Sequence, residues 1–381
     1  MKKLKAIHVH TDLKFIKETK IFKGERFENE IIVIGKSLEK KNKSTEYRLY
    51  RYNYFNLKKV IRACNEADLV VLYDLDRIKS AIVNSLSEQV YVMWRFFGYE
   101  LYGKEIEKYF SVLSRQYFES EKPEYEGLAG RLGSLISSIR PVNFKLDSSF
   151  EKAVQRIDLM LCICSQEYDD LLENRPNLPE CEVIPLSNEW CSKSPVELRS
   201  IKRPRIILGN NRSPYNNHLD VIEKIKETEK FNEVEIFLPF NYGPDSVYAK
   251  EVRARLKTEN NVFFMEEFLP VNEYREFVEK SEAMVINSYR QMAMDNIFMG
   301  IFNGLKIYLN KKNVIFRWLR SLGVHVYDVD ELPSDIEKGN IVLDYKTIES
   351  NIGALKKYKT EYTADHFQEL VSKKITQKKT V

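Results

Sequence analysis

The chain has 381 residues, 43% hydrophobic and 30% charged, enough for a large core and too long for one ordinary domain. Lys and Arg number 60 against 56 Asp and Glu, a formal charge of +4 that does not call for a nucleic acid partner and leaves an anionic membrane surface compatible. Five cysteines, Cys64, Cys162, Cys164, Cys181 and Cys191, lack CxxC pairing and fit a reduced, cytoplasmic setting, and no apolar stretch reaches the length of a membrane span.

From the amino terminus, strands are expected at Leu4 to His10, Glu30 to Gly35, Leu69 to Tyr73, Val90 to Trp94, Leu159 to Cys164 and Glu182 to Ile184. Helical patterns lie near Asp12 to Phe22, Leu57 to Asn65, Lys104 to Arg115 and Phe150 to Ile157. Between Asn188 and Pro204 the apolar period gives way to Pro, Ser and mixed charge, which marks a junction. The rhythm then resumes, with strands at Arg205 to Leu208, Glu233 to Leu238, Val262 to Met265, Ala283 to Asn287, Leu305 to Asn310 and His325 to Tyr327. The matching helices are His218 to Glu229, Asp245 to Lys257, Val271 to Lys280, Asp295 to Asn303 and Val314 to Leu322. Short apolar strands separated by helices mean parallel sheets covered on both faces, so each half reads as a doubly wound, Rossmann-like α/β domain. The expected division is 1–193, 194–345, and a helical segment 346–381 that returns to the first domain. Glu119 to Pro141, with three glycines, is the least regular stretch.

The turn after the first strand of the second half, Gly209-Asn210-Asn211-Arg212-Ser213-Pro214-Tyr215-Asn216-Asn217-His218, ends an apolar run and opens a helix. A loop there presents backbone N–H groups and a positive helix end to phosphate. Arg212 and Arg290 are the cations suited to a diphosphate leaving group. His218 either donates to phosphate or caps the helix. Asn210, Asn216, Asn217 and Asn296 suit sugar hydroxyls or phosphate, or simply the turns they occupy. Phe240, Tyr242 and Phe268 are aromatic candidates for a base or ribose, with packing as the alternative, and Glu267 is a candidate ribose acceptor. In the first half, His10 and Asp12 close the first strand and Glu100 follows the strand ending near Trp94; all three are candidate bases for activating a hydroxyl. His8 reads as a strand residue with a satisfied ring. Asp74-Leu75-Asp76 has the spacing of a cation-binding carboxylate pair, but a helix cap with an adjacent charge fits it better.

The segments Asp12-Leu13-Lys14-Phe15, Trp94 to Tyr102, Gly209 to His218, Leu238 to Gly243, Glu267 to Pro270 with Tyr274, and Arg290-Gln291-Met292-Ala293-Met294-Asp295-Asn296-Ile297 together resemble glycosyltransferase family 56, the TDP-N-acetylfucosamine:lipid II N-acetylfucosaminyltransferases. The chain departs from that pattern at Met294-Asp295, where the family usually has a Gly shortly before the Asn. The resemblance implies a GT-B fold of two Rossmann-like domains facing across a cleft. It also implies a metal-independent transfer of an amino- or deoxy-sugar from a nucleoside-diphosphate donor, dTDP-linked in that family, to a lipid-linked saccharide acceptor in surface-glycan synthesis. The donor contacts it implies include Gly209, Arg290, Gln291 and Asn296, and the protein is expected on the cytoplasmic face of the inner membrane. The alternatives are a sugar-nucleotide epimerase and a noncatalytic nucleotide-binding partner. Two segments offer basic and aromatic residues for a lipid surface, Tyr47 to Lys59 and Lys311 to Arg320, although the latter also reads as a packed amphipathic helix. Lys373, Lys374, Lys378 and Lys379 read as a solvated, frayed end.

Overall fold

The computed structural model describes residues 3–35, 46–102, 108–120, 146–186 and 203–380. These fall into two compact units. The first lies within 3–102, 146–186 and 359–380, and the second within 108–120 and 203–358. The expected junction at 188–204 and the irregular stretch 119–141 lie mostly outside the described residues, as does Cys191.

The first unit holds β1 (Leu4–His10), β2 (Phe27–Gly35), β3 (Arg48–Arg51), β4 (Leu69–Tyr73), β5 (Tyr91–Arg95), β6 (Leu159–Cys162) and β7 (Cys181–Val183). They form one parallel sheet in the order β3-β2-β1-β4-β5-β6-β7. Period-two alternation covers both faces. Ile7 and Val9 of β1 and Val70 and Leu72 of β4 enter one core with Leu57 and Val60 of the helix Tyr54–Asn65. Ala6, Leu69 and Val71 enter the other with Phe22, Phe27 and Phe367.

The second unit holds β8 (Arg205–Leu208), β9 (Glu235–Pro239), β10 (Val262–Met265), β11 (Ala283–Ile286), β12 (Lys306–Leu309) and β13 (Tyr327–Asp328), again all parallel, in the order β10-β9-β8-β11-β12-β13. In each sheet the strand order reverses beside the first strand, between β1 and β4 and between β8 and β11. Loops at the carboxyl ends of those pairs diverge, and ligands of doubly wound sheets bind there.

Several elements depart from the sequence expectation. The stretch Asp12 to Phe22 is a turn followed by a 3-10 helix, Ile16–Phe22, because the Asp12 side chain accepts the Lys14 N–H at 2.9 Å and closes the chain locally. Of the helix expected at 104–115, the amino-terminal part lies outside the described residues; the helix Val112–Ser120 belongs to the second unit, where Leu113 and Tyr117 pack on its core. Strand β6 ends at Cys162, and Cys164 stands at the start of the helix Ser165–Asn174.

The carboxyl-terminal helix Ala364–Thr380 packs on the first unit through Phe367, Val371 and Ile375, one face at i, i+4 and i+8. Its lysines are not a frayed end. Lys378 meets Asp158 at 2.7 Å, Lys374 meets Glu180 at 2.6 Å, Lys373 meets Glu369 at 2.6 Å, and Lys379 pairs with Asp68.

Candidate functional site

The carboxyl edge of the second sheet gathers the loops after β8, β9, β10 and β11. The loop after β8 is a self-contained hydrogen-bonded knot. Gly209 N–H donates to Val285 O at 2.8 Å, Asn210 N–H to Asn216 Oδ1 at 3.3 Å, Arg212 N–H to Tyr242 O at 3.1 Å and Ser213 N–H to Asn211 Oδ1 at 2.8 Å. Those amides are therefore spent inside the protein.

The helix that follows, His218–Lys226, is also closed. Its first two amides, His218 and Leu219, both point at the Tyr248 hydroxyl, at 2.7 and 3.4 Å. Burial lowers the His218 pKa to about 3, so the ring is neutral and packs between Phe240 and Tyr248. The sequence shows the strand, loop and helix, with His218 either donating to phosphate or closing the helix start; the long-range Tyr248 hydroxyl accepts the first two amides.

Asn217 is a bracket. It is fully buried at φ +48°, its Oδ1 accepts the Ser111 N–H and hydroxyl at 2.9 and 3.0 Å, and its Nδ2 donates to Asn287 O at 2.8 Å. Asn287 returns a donor to Asn217 O at 3.4 Å, which ties the β8 and β11 loops together at the reversal of the sheet. Asn216 is likewise enclosed, donating to Asn211. Phe240 is fully buried under Arg253, Phe264 and His218, and it cannot stack on a base.

Gly209 is the position where glycine is obligatory. Its φ is +76°, and a Cβ there would stand 2.5 Å from His218 Nε2. The variant Gly209→Ala is expected to lose about 2–3 kcal/mol, from left-handed backbone strain plus the displaced histidine. Denaturant titration checks this, and an unshifted midpoint would contradict it.

What remains accessible lies on the other side of the reversal. Arg290 sits in the loop after β11, where Asn313 Nδ2 holds its carbonyl at 2.8 Å and the Ser288 hydroxyl bonds its backbone. Its guanidinium lies 4.3 Å over the Tyr215 ring, which itself stacks on Phe110. Three residues later, Ala293 takes φ +60° and opens the helix Met294–Phe302 with no side chain capping it. A non-glycine residue in that region is held there by its surroundings. Gln291 and Asn296 flank this start and are half-buried, whereas Asp295 is exposed.

Across the β8 loop, Arg212 donates to Gly243 O at 2.7 Å, and Asn210 donates to the Tyr242 hydroxyl at 3.0 Å. The Tyr242 ring is thereby anchored yet 42% exposed. Phe268 is 76% exposed, and Glu267 is exposed beside it. Sequence reasoning missed Tyr215, Tyr248, Ser288 and Asn313. Tyr215, Tyr248 and Asn313 are ordinary residues in their own segments and gain their roles from partners tens of residues away, whereas Ser288 gains its role from Arg290, two residues on.

In the first unit the reversal between β1 and β4 carries a buried polar cluster. Lys79 is fully buried, with Nζ at 2.5 Å from Asp74, 2.8 Å from the Thr11 hydroxyl and 3.6 Å from Asp76. Asp76 caps the helix Arg77–Val83, accepting the N–H groups of Ile78 and Lys79. Both carboxylates thus have partners from the protein, and among the described residues no group of three or more His, Cys, Asp or Glu is placed to hold a metal.

His10 stacks on Tyr73 at 4.1 Å, and burial, with His8 and Lys79 adding to it, drives its pKa to about 3. His8 meets Tyr73 and Asn29 through its two ring nitrogens. Glu100 is tied to Trp94 Nε1 at 3.2 Å and to the Phe97 N–H at 3.3 Å. Of the three candidate bases only Asp12 is exposed.

Burial, with Asp74 nearby, raises the Glu100 pKa from 4.5 to about 7, so folding favours its protonated form. That contribution is complete below pH 4.5 and is lost as pH rises through 7. Glu100→Gln, which cannot ionise, should therefore gain roughly 3 kcal/mol on the native protein between pH 4.5 and 8. Parallel denaturation series at those two pH values read this directly, and a pH-independent difference would contradict it.

Neither a protein-family model nor a curated protein sequence matches the chain. Solved structures are similar over nearly its whole length. Sucrose-phosphate synthase from Thermosynechococcus elongatus aligns with a TM-score of 0.62 at 9% identity, covering 98% of this chain and 99% of that one. HepE from Anabaena, crystallised with UDP and glucose, aligns at 0.61 and 14%, covering 98% and 100%. WaaG, a glycosyltransferase involved in lipopolysaccharide biosynthesis, aligns at 0.60 and 12%, also covering 98% and 100%. The likeness shows the fold, two parallel Rossmann-like sheets of GT-B type, and it extends to that fold as a whole rather than to family 56 in particular.

Proposed function

We propose that this protein is a glycosyltransferase that takes its sugar from a nucleoside diphosphate bound at the carboxyl edge of the second sheet. The observation that carries this reading is Arg290, a cation held by Asn313 and Ser288 directly before the uncapped start of the helix Met294–Phe302. Such an arrangement stabilises the charge that collects on a diphosphate as the glycosyl bond breaks. The exposed, anchored Tyr242 ring takes the base or ribose, and Asn296 and Gln291 bond sugar or phosphate oxygens. As the acceptor oxygen bonds to the sugar it gives up its proton, and the electron pair of the broken bond leaves on the diphosphate. The uridine nucleotides held by HepE and by an Escherichia coli trehalose-6-phosphate protein of the same fold support a nucleotide ligand.

The family 56 segments support the finer reading, an N-acetylfucosamine-like sugar moved from dTDP to a lipid-linked saccharide for a surface glycan at the inner membrane. Calorimetric titration of the full chain with dTDP and with UDP, with and without magnesium, tests it. One nucleotide is expected to bind in the micromolar range, typical of substrate sites, and the dTDP arm decides the finer reading. Absence of binding to either nucleotide would overturn the donor site.

A further inference from the structure

The helix Tyr54–Asn65 of the first unit has one side in the core, through Leu57, Val60 and Cys64. Its other side is unusual for this chain. Phe55, Lys58, Lys59 and Arg62 stand at i, i+3, i+4 and i+7, so they form a single stripe, and all four are exposed. Phe55 is 76% exposed. None of the helix's 12 residues is acidic, although acidic and basic residues are nearly equal in the whole chain. Arg51, exposed at the end of β3, extends the positive surface. Among the described residues none of these cations meets a carboxylate; Lys58 instead lies 4.5 Å over the Tyr54 ring.

The other basic and aromatic segment is built differently. In Lys311 to Arg320, Ile315, Trp318 and Leu319 are buried in the second unit, Lys311 is answered by Asp328 at 3.3 Å, and Lys312 rests on Tyr289. Its apolar residues are used and part of its charge is neutralised. The stripe on Tyr54–Asn65 has neither form of compensation.

We propose that this stripe docks the protein on an anionic lipid surface, with Phe55 entering the headgroup boundary and Lys58, Lys59, Arg62 and Arg51 meeting lipid phosphates. The chemistry selects the occupant. A polyanion in water would answer the cations and leave the phenyl ring wet, and an apolar protein face would require three or four charges to be desolvated without partners. The boundary of an anionic bilayer accepts a ring and its surrounding cations together. The inference rests on the proposed function only for the biological source of the lipid, namely the carrier of the acceptor.

Co-sedimentation of the full chain with phosphatidylglycerol-containing vesicles, and with phosphatidylcholine vesicles as the uncharged control, tests it without any nucleotide present. Binding is expected to the anionic vesicles alone and to weaken with salt. Lys58→Gln/Lys59→Gln/Arg62→Gln should lower the partition coefficient about 100-fold, and Phe55→Ala about tenfold. Both variants should leave the urea unfolding midpoint of the full chain unchanged, which confirms that they fold. Equal partitioning of native and variant chains would overturn the proposal. So would binding to single-stranded DNA in place of vesicles. Failure of the nucleotide titration alone would count against the donor site and leave the vesicle result standing.

Discussion

Arg290→Ala is expected to lower sugar transfer by about 1,000-fold, the scale on which a preorganised charge at a departing anion acts, while the protein keeps its fold. The argument rests on what else the loop offers. The amides after β8 are bonded within the knot and the helix start at His218 is closed by Tyr248. Arg290 and the start of Met294–Phe302 are left as the principal electropositive groups at the reversal of this sheet. The arginine backbone is held by Ser288 and Asn313 independently of its side chain, and its guanidinium rests on Tyr215, so truncation removes the charge and leaves the loop backbone anchored. Arg290→Lys should recover part of the rate, because a point cation supplies the charge without the planar fork. Single-turnover assays with the donor identified by titration measure both. Transfer undiminished in Arg290→Ala would remove this residue from the mechanism.

Lys79→Met should cost about 3–5 kcal/mol of stability, the loss expected when one partner of a buried ion pair is removed. The ammonium is completely buried and answers Asp74 at 2.5 Å, and Asp74 itself stands at φ +69°. Burial already raises the Asp74 pKa, and Lys79 is the main influence holding it down. Without the lysine, Asp74 is pushed further up, so the variant's deficit should shrink on going from pH 8 to pH 5 as the carboxylate protonates. Lys79→Met with Asp74→Asn should recover most of the loss, because neither charge is then stranded and asparagine tolerates the left-handed backbone. Urea unfolding at the two pH values measures all three proteins. A single-variant loss below about 1 kcal/mol, the value of an exposed pair, would mean that water reaches this site.

The strands were legible because parallel sheets bury both faces. Leu69–Tyr73 is apolar throughout, and all five residues are buried. Strand β3, Arg48–Arg51, was not legible: it pairs with β2 at the sheet edge, so its sequence shows no apolar run. The helix Arg77–Val83 was legible only through its cap, which Asp76 supplies; the role of Lys79 was not, since a lysine looks like a surface residue until Asp74 and Thr11 are brought against it. At the candidate site, the sequence singled out the loops after β8, β9, β10 and β11 and the cation at Arg290. It could not tell how each asparagine is used, because Asn217 has the same composition cues as Asn210, yet one is bound to Ser111 and Asn287 and the other to Tyr242.

By itself, then, the amino-acid order determined the alternation of strand and helix, the two doubly wound halves and the loops that close each strand, since period and turn chemistry act over a few residues. Tertiary structure alone decided which groups in those loops stay available. A Tyr248 hydroxyl thirty residues downstream occupies the amides of His218 and Leu219, whereas Ala293, at the start of Met294–Phe302, supplies no capping side chain. Hydrogen bonds between distant segments obey geometry in space, and spacing along the chain carries no record of it.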